Sequence, residues 1–535
     1  MVVMQLIRST LDPRSVEFSA YRAAMLEATE MVAAEHRKVL TIGGERHIER
    51  HRARGKLLVR ERIDRLIDPD TPFLELMPLA GWGTNDPLGA SSVAGIGIVS
   101  GVETLITGSD LTVKGGTATA TGIHKALRAQ EIALRNRLPY LQMVESGGAA
   151  LDQQAEVFVP GGATFKNYTR LSAAGIPVVS LVFGPSTAGG AYQPGMSDYV
   201  VMVKNQAEVY LGGPPLVKMA IDEDADPEAL GGAEMHSRTS GLSDYLAVDE
   251  MDALRIGRDI MAHLNWRKLG PGPSLPPDPP VYDSDELLGI VPDDLRVPFD
   301  VREILARILD GSRLEEFKPL YGAQLVAGWG SIWGYPIGIL ANNGILFSQE
   351  SQKGTQFIQL CNQIDTPIVF LQNITGFMVG TTYEQGGIIK HGSQLINAVS
   401  NSAVPHFTLM VGASYGAGNY AMAGRAYDPR FVFTWPSHRI GVMGGKQLAG
   451  VLDIVARSSA ASKGEEVDEE NLEQRKQFLE MKMDHESQAL YATGRVWDDG
   501  IVDPRASRTV LGIAISAAHN QVVEGVKGGW GVFRM

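Results

Sequence analysis

The sequence predicts an α/β protein built from two tandem, related domains. One observation is an internal repeat. KALRAQEIALRNRLPYLQMVESGG from Lys125 returns as KGTQFIQLCNQIDTPIVFLQNITGF from Lys353, an offset of 228 residues. At that offset Pro139 meets Pro367, Gly148 meets Gly376, Pro177 meets Pro405, Gly184 meets Gly412 and Tyr192 meets Tyr420. A second observation is alternation. Short apolar runs such as PYLQMVES and PVVSLVFG each follow a helical stretch, the pattern of inner strands covered by helices. A third is the Pro-rich run GPGPSLPPDPPVYDSD, Gly270 to Asp285, where repeated proline forbids both helix and inner strand. It divides the chain into a first domain over 1–270, a linker over 271–285 and a second domain over 286–535.

Taken in order, residues 16–41 read as an amphipathic helix, with Tyr21, Ala24, Met25, Ala28, Met31 and Val32 recurring at steps of three and four. HIERHRARGKLLVRERIDRLID is strongly charged and reads as a solvated helix and turn, with phosphate binding as the alternative. VAGIGIVSGVETLITGSD reads as a hairpin. After the linker the programme repeats as VAGWGSIWGYPIGILANN, TPIVFLQN and PHFTLMVG. EEVDEENLEQRKQFLEMKMDHES, near 465–487, reads as an exposed helix or hairpin suited to assembly contacts.

The bulk numbers set limits. A hydrophobic content of 44% supplies an ample core. A net charge of −13 argues against a nucleic-acid partner, because phosphate binding needs clustered Lys and Arg. No apolar run reaches transmembrane length, and MVVMQLIRSTLDPRS lacks the apolar core of a signal peptide, so no membrane partner and a cytoplasmic setting are expected. The single cysteine, Cys361, excludes internal disulfides and a multi-cysteine zinc site.

The chemistry is expected at two small-residue turns. GPSTAGGAYQPGMSD, Gly184 to Asp198, follows a strand and can open a helix. Glycine permits close backbone approach, and helix N-termini leave N–H groups without partners. Two such donors beside a thioester oxygen stabilise an enolate. One such turn alone is more simply a packing turn. The second copy, GASYGAGNYAMAGRAYDP from Gly412 to Pro429, places Ala417-Gly418 opposite Gly189-Gly190 and suggests two oxyanion holes for two carbonyl-bearing reactants. No phosphate loop, serine nucleophile elbow or HExxH zinc motif is present, so neither ATP nor a metal is expected on this chain. His236 could serve as a base but reads better as structural. Glu145 and Asp198 read as loop-orienting or capping carboxylates, and Cys361 as a buried residue rather than a nucleophile. Oxyanion stabilisation without a protein base fits a base supplied by a substrate.

At these residues the chain resembles the carboxyltransferase (β) subunit of biotin-dependent acyl-CoA carboxylases. The resemblance runs through VKGGT (Val113–Thr117), Ser146–Ala149, STAGGAY (Ser186–Tyr192), LGGPPLVK (Leu211–Lys218) and LGGAEMHSRTSG (Leu230–Gly241). It continues through ANNGILF (Ala341–Phe347), LQNITGFMVG (Leu371–Gly380), YGAGNYAM (Tyr415–Met422) and the closing GVFRM (Gly531–Met535). LQNITGFMVG with YGAGNYAM looks most like the 3-methylcrotonyl-CoA carboxylase branch and its geranyl-CoA relatives.

The resemblance implies two crotonase-like domains, each a β-β-α superhelix, in a homo-hexamer arranged as a trimer of dimers. The active site would lie between the first domain of one subunit and the second domain of another. Ala188, Gly189 and Gly190 would form the acyl-CoA side, with Gly189 and Gly190 as oxyanion donors. Tyr415, Ala417 and Gly418 would form the biotin side, with Ala417 and Gly418 as donors. The biotin would be carried covalently by a biotin carboxylase/biotin carboxyl carrier α subunit, which alone would use ATP and Mg. Carboxybiotin would release CO2, the biotin would take the substrate proton, and the thioester enolate would attack CO2. The substrate implied is 3-methylcrotonyl-CoA, giving 3-methylglutaconyl-CoA in leucine degradation, with geranyl-CoA, propionyl-CoA or a longer acyl-CoA as alternatives. A non-catalytic acyl-CoA-binding scaffold is a further alternative, against which both turns are intact. A crotonase-type hydratase or isomerase would need a positioned carboxylate and only one domain. The chain departs from the branch in VMGGKQLAG, where Lys446 stands in place of the usual acidic residue, and in DQQAEVFVPGGATFKNYTR, which looks shorter than in many members.

Overall fold

The computed structural model describes residues 5–464 and 467–534. Residues 1–4 of the N-terminal segment, Glu465 and Glu466 of the charged stretch and Met535 of the closing motif lie outside the described residues. Two eight-stranded sheets organise the chain. In the first, the hairpin Ser92–Val99 and Val102–Ser109 is antiparallel, and Tyr140–Ser146, Val178–Thr187, Tyr199–Val203 and Tyr245–Ala247 then follow in parallel. The second repeats this with Leu325–Ile332, Tyr335–Asn342, Ile368–Ile374, His406–Tyr415 and Phe431–Thr434. All seven residues of Tyr140–Ser146 and of Ile368–Ile374 are buried, as strands covered on both faces must be. Parallel neighbours need a crossover, and the helices Ala120–Asn136 and Ser348–Gln363 supply it. Thr119 caps the first by accepting from Gly122 N, and Glu350 accepts from Phe347 N at the start of the second.

The repeat holds at the level of single backbone angles. Arg137 and Asp365, one offset apart, both end their helices with positive φ, at 52° and 55°. The parallel register slips between Val144 and Ser146 in the first sheet and between Gln372 and Ile374 in the second, again one offset apart. The slip shifts the strand ends out of ladder register where the two candidate turns begin.

The halves are joined through a shared interior. One core cluster includes Leu105 and Tyr140 of the first sheet, Val369 and Phe407 of the second, and Leu511 and Ile515 of the helix Ser507–Ala518. Buried Arg128, on the first crossover helix, makes two 2.8 Å bonds to the carboxylate of Asp499, which also accepts from Val432 N of the second sheet. Gln5–Leu6 pairs with Arg313 and Leu314, so the N-terminal segment adds a strand to the second sheet. The segment from Gly270 to Asp283 carries no helix or strand and is held against the second half by Gly270 N to His519 O and Ser274 N to Gly334 O.

The N-terminal helix runs from Val16 to Leu40 and buries Phe18, Met25, Val32 and Val39, a narrow stripe with a period of seven, while Met31 is left exposed. The charged stretch after Glu466 forms the helix Glu469–Glu486, antiparallel partner in a hairpin with Gly445–Lys463. No helix among the described residues is long and apolar enough to cross a membrane.

Candidate active site

Each candidate turn sits at the C-terminal end of a central parallel strand. Val178–Thr187 runs into a short 3-10 helix, Ala188–Ala191, and His406–Tyr415 runs through Gly416 into the helix Ala417–Ala421. Beside them, short strands close the rim. Glu208–Tyr210 pairs with Pro185–Thr187, and Arg439–Gly441 pairs with Ala413–Tyr415. The first residues of a helix have no intrahelical acceptor for their N–H groups, so the start of each turn holds candidate backbone donors. Ala188 and Gly189 open the first and Ala417 and Gly418 the second, and Gly190 lies buried within the first 3-10 turn.

A positive φ occurs at the matching position of both turns. Ala188 has φ 52° and Gly416, one offset later, has φ 58°. The left-handed region suits glycine and costs a side-chain-bearing residue about 1–3 kcal/mol. Close packing then fixes the next residues. A methyl group on Gly190 would lie 3.2 Å from Ser146 Cβ and 3.3 Å from Ser186 Oγ, and one on Gly418 would overlap Ile374. Ser186 Oγ donates to Gly190 O at 2.8 Å, and Gly148 N donates to Ser146 Oγ at 3.1 Å. In the second turn Asn419 Nδ2 donates to Ser414 Oγ at 2.7 Å, and Ser414 Oγ donates to Gln372 Oε1 at 2.6 Å. Tyr192 and Tyr420 stand at matching places, 43% and 45% exposed. Tyr415 is the last residue of its strand, and partial burial raises its phenol pKa.

Behind the first turn is a buried ionic brace. Lys56 Nζ donates to Glu145 Oε1 at 2.7 Å and to Phe183 O at 2.9 Å. Arg62 donates to Glu145 at 2.6 Å and makes a two-pronged pair with Glu250 at 2.7 and 2.9 Å, its guanidinium 4.3 Å from the Phe183 ring centre. The charged segment after Ala53 is therefore not solvated at these two positions. Partners 83 to 188 residues away in sequence draw them in.

The other single residues resolve simply. Both His236 nitrogens are engaged, Nδ1 with Ser240 Oγ at 2.6 Å and Nε2 with Val209 O at 2.7 Å, which is a structural role. Asp198 accepts from Ser172 Oγ and Val178 N and ties a helix to a strand. Cys361 is fully buried, and burial pushes its thiol pKa up, as expected of an inert core cysteine. Lys446 is exposed near the start of the helix Gly445–Lys463. Among the described residues no hydrogen bond or ion pair links the first turn to the second.

The carboxyl transferase domain model matches residues 50–527, most of the chain. The chain belongs to the carboxyl transferase family. A probable biotin-dependent acyl-coenzyme A carboxylase beta2 subunit of Mycobacterium tuberculosis is 57% identical over 531 residues, covering 99% of this chain and 100% of that one. The mitochondrial methylcrotonoyl-CoA carboxylase beta chain of Dictyostelium discoideum is 45% identical over 99% of this chain and 91% of its own. Among solved structures, the geranyl-CoA carboxylase beta subunit of P. aeruginosa superposes with a TM-score of 0.90 at 46% identity, covering 98% of this chain and 99% of that one. The two crotonase-like domains are those of this family, and this carboxyltransferase is a β-type component of the biotin-dependent acyl-CoA carboxylases.

Proposed function

We propose that this carboxyltransferase moves a carboxyl group from a biotin carried on a partner α subunit to a short, branched acyl-CoA, with 3-methylcrotonyl-CoA as the reference substrate. The observation that carries the reading is the matched pair of turns. Two strand ends, one offset apart, share a residue with positive φ at Ala188 or Gly416 and run into short helices that open at Ala188–Gly190 and at Ala417–Gly418. Two equivalent donor sets suit two reactants that each develop charge on a carbonyl oxygen. The first set would hold the thioester oxygen and the second the ureido oxygen of biotin, with Tyr415 beside it. The second turn suits such a group. It is surrounded by neutral Gln372, Asn373, Ser414 and Asn419, so its N–H groups are not already neutralised by an anion. Bound biotin supplies the transferred carboxyl group and the base. The chain's own part is to orient both carbonyls and stabilise the enolate oxygen.

Among the described residues no hydrogen bond or ion pair joins the two turns of one chain, which supports a site completed by a second copy, the first domain (1–270) of one subunit facing the second domain (286–535) of another. Apolar side chains stand exposed on both halves, Leu151 and Phe158 on the first and Val379 and Ile389 on the second, and burial of these would favour a homo-hexamer. The names of the relatives support the acyl group only by analogy, since they include both methylcrotonoyl-CoA and geranyl-CoA carboxylases.

The test is a carboxylation assay with a cognate biotinylated α subunit, ATP, Mg²⁺ and labelled bicarbonate across a panel of acyl-CoAs. Label fixed into short branched acyl-CoAs is expected. Label fixed only into geranyl-CoA or another long chain would change the substrate and keep the reaction. A partner that carboxylates its own biotin while no acyl-CoA gains label would point to the scaffold role.

A further inference from the structure

A cavity of about 110 Å³ lies behind the first turn, between the sheet and the helices Ala120–Asn136 and Gln154–Ala173. Its lining runs from Ser146 and Gln193, beside the donor N–H groups, down to Ser91 and Lys125. That volume is far below the roughly 300–1,000 Å³ of a pocket that encloses a whole drug-sized ligand, and it suits one short branch.

The far end of the cavity is polar and incompletely satisfied. Ser91 is only 5% exposed, yet its hydroxyl has no hydrogen-bond partner. Lys125 is 1% exposed and donates to Gly89 O at 3.1 Å and Ser92 O at 2.6 Å. An ammonium group carries three N–H donors, so one is left over. Among the described residues no carboxylate pairs with it, and burial draws its pKa down to about 8. The backbone that creates this end is itself unusual. Gly89, Ala90 and Ser91 have φ 79°, 53° and 56°, three consecutive left-handed residues of which two carry side chains. Strained backbone of this kind persists where the surroundings hold it in place, commonly at ligand clamps. The second half has no counterpart. Lys353, one offset from Lys125, also bonds a backbone carbonyl, that of Gly322, but Ala323 and Gln324 after that glycine are not left-handed.

We infer that Ser91 and Lys125 form a donor site for an oxygen atom carried on the acyl group, so that the substrate preferred by this protein is a short acyl-CoA bearing a hydroxyl, carbonyl or carboxyl oxygen on the branch that enters the cavity. The inference rests on the acyl-CoA reading of the first turn. It replaces the hydrocarbon branch of 3-methylcrotonyl-CoA with one that carries oxygen and leaves the transfer reaction unchanged. A purely hydrocarbon branch would leave the Ser91 hydroxyl and the third Lys125 N–H without acceptors, which sites built for an oxygen penalise.

The test uses the full-length protein, two CoA thioesters of equal chain length, 3-hydroxybutyryl-CoA and butyryl-CoA, and the variant Ser91→Gly. Glycine accepts the left-handed angle, so the variant is expected to melt at or above the parent temperature while losing only the hydroxyl. In the parent, 3-hydroxybutyryl-CoA should bind about tenfold or more tightly than butyryl-CoA. In Ser91→Gly, where Lys125 still donates, that preference should shrink by about threefold or more, the 3-hydroxybutyryl-CoA affinity falling more than the butyryl-CoA affinity. Equal affinities in the parent, as a cavity filled only by water would give, overturn the inference, and so does a preference that is undiminished in Ser91→Gly. A parent that binds neither thioester overturns the acyl-CoA reading itself.

Discussion

The two halves hold the same turn by different means. In the first, Glu145 occupies the position one offset before Asn373, and in both halves this side chain fills the space opened by a glycine, Gly184 or Gly412. Glu145 is held by Lys56 and Arg62. Asn373 is held without charge, its N–H donating to Asn342 Oδ1 at 3.1 Å, its carbonyl accepting from Asn342 Nδ2 at 2.6 Å and its side-chain oxygen accepting from Ala413 N at 3.3 Å. The requirement at this position is therefore a side chain that fills the gap and accepts a hydrogen bond, not a charge. A neutral brace suits a turn that must leave its donors free. An ionic brace suits one only if the carboxylate is fully neutralised, as Glu145 is by two cations.

The sharpest way to separate the two braces is to remove one member of each. Arg62→Met leaves Glu145 and Glu250 short of a buried cation and should cost about 3–5 kcal/mol in urea unfolding. Asn373→Ala removes one neutral side-chain bond, that from Ala413 N, and should cost about 1–3 kcal/mol. Equal losses would mean that the ionic brace is no more demanding than the neutral one.

The next contrast is chemical. Gly190→Val drives side-chain carbon toward Ser146 and Ser186, and it should lower transfer to acyl-CoA by about 10²–10³ or more. Breakdown of carboxybiotin on the partner, measured without acyl-CoA, should persist if the second turn is the proposed biotin side. Gly190→Ala is the milder variant should the valine protein fail to accumulate. Full transfer activity in both variants would remove the first turn from the acyl-CoA site.

The smallest expected effect probes the shared residue with positive φ. Ala188→Gly should stabilise the first turn by about 0.5–1 kcal/mol, whereas Gly416→Ala should destabilise the second by about 1–3 kcal/mol. Thermal unfolding of the two variants checks the opposite signs. The same sign for both would mean that the turns differ in backbone despite their matching φ values.

Much of this was legible in the sequence because the repeat is nearly gapless where it matters. Lys125 and Lys353 fixed the offset, and the offset located both turns and the paired central strands. The left-handed angle at Ala188 was also foreshadowed, since its counterpart is Gly416. What the residues alone did not reveal depends on long-range approach. Lys56 and Arg62 sit in a run that looks solvated, and only the fold brings Glu145 and Glu250 to them. In the N-terminal helix the apolar residues at steps of three and four overstated the buried face, because only one narrow stripe is buried, Phe18 against Gly289 and Val32 and Val39 against Leu79, Ala489 and Leu490. The Ser91–Lys125 pair was hidden because an unpartnered hydroxyl is a property of a cavity, which no local pattern encodes.

Asp499 accepts bonds from Arg128 of the first half and from Val432 of the second, inside one continuous core. Duplication copied a domain, but this shared interior removed the independence of the copies. Chain cleavage in the exposed proline-rich segment should release no free-standing half. The two fragments would stay associated as one body, and they would melt together or not at all.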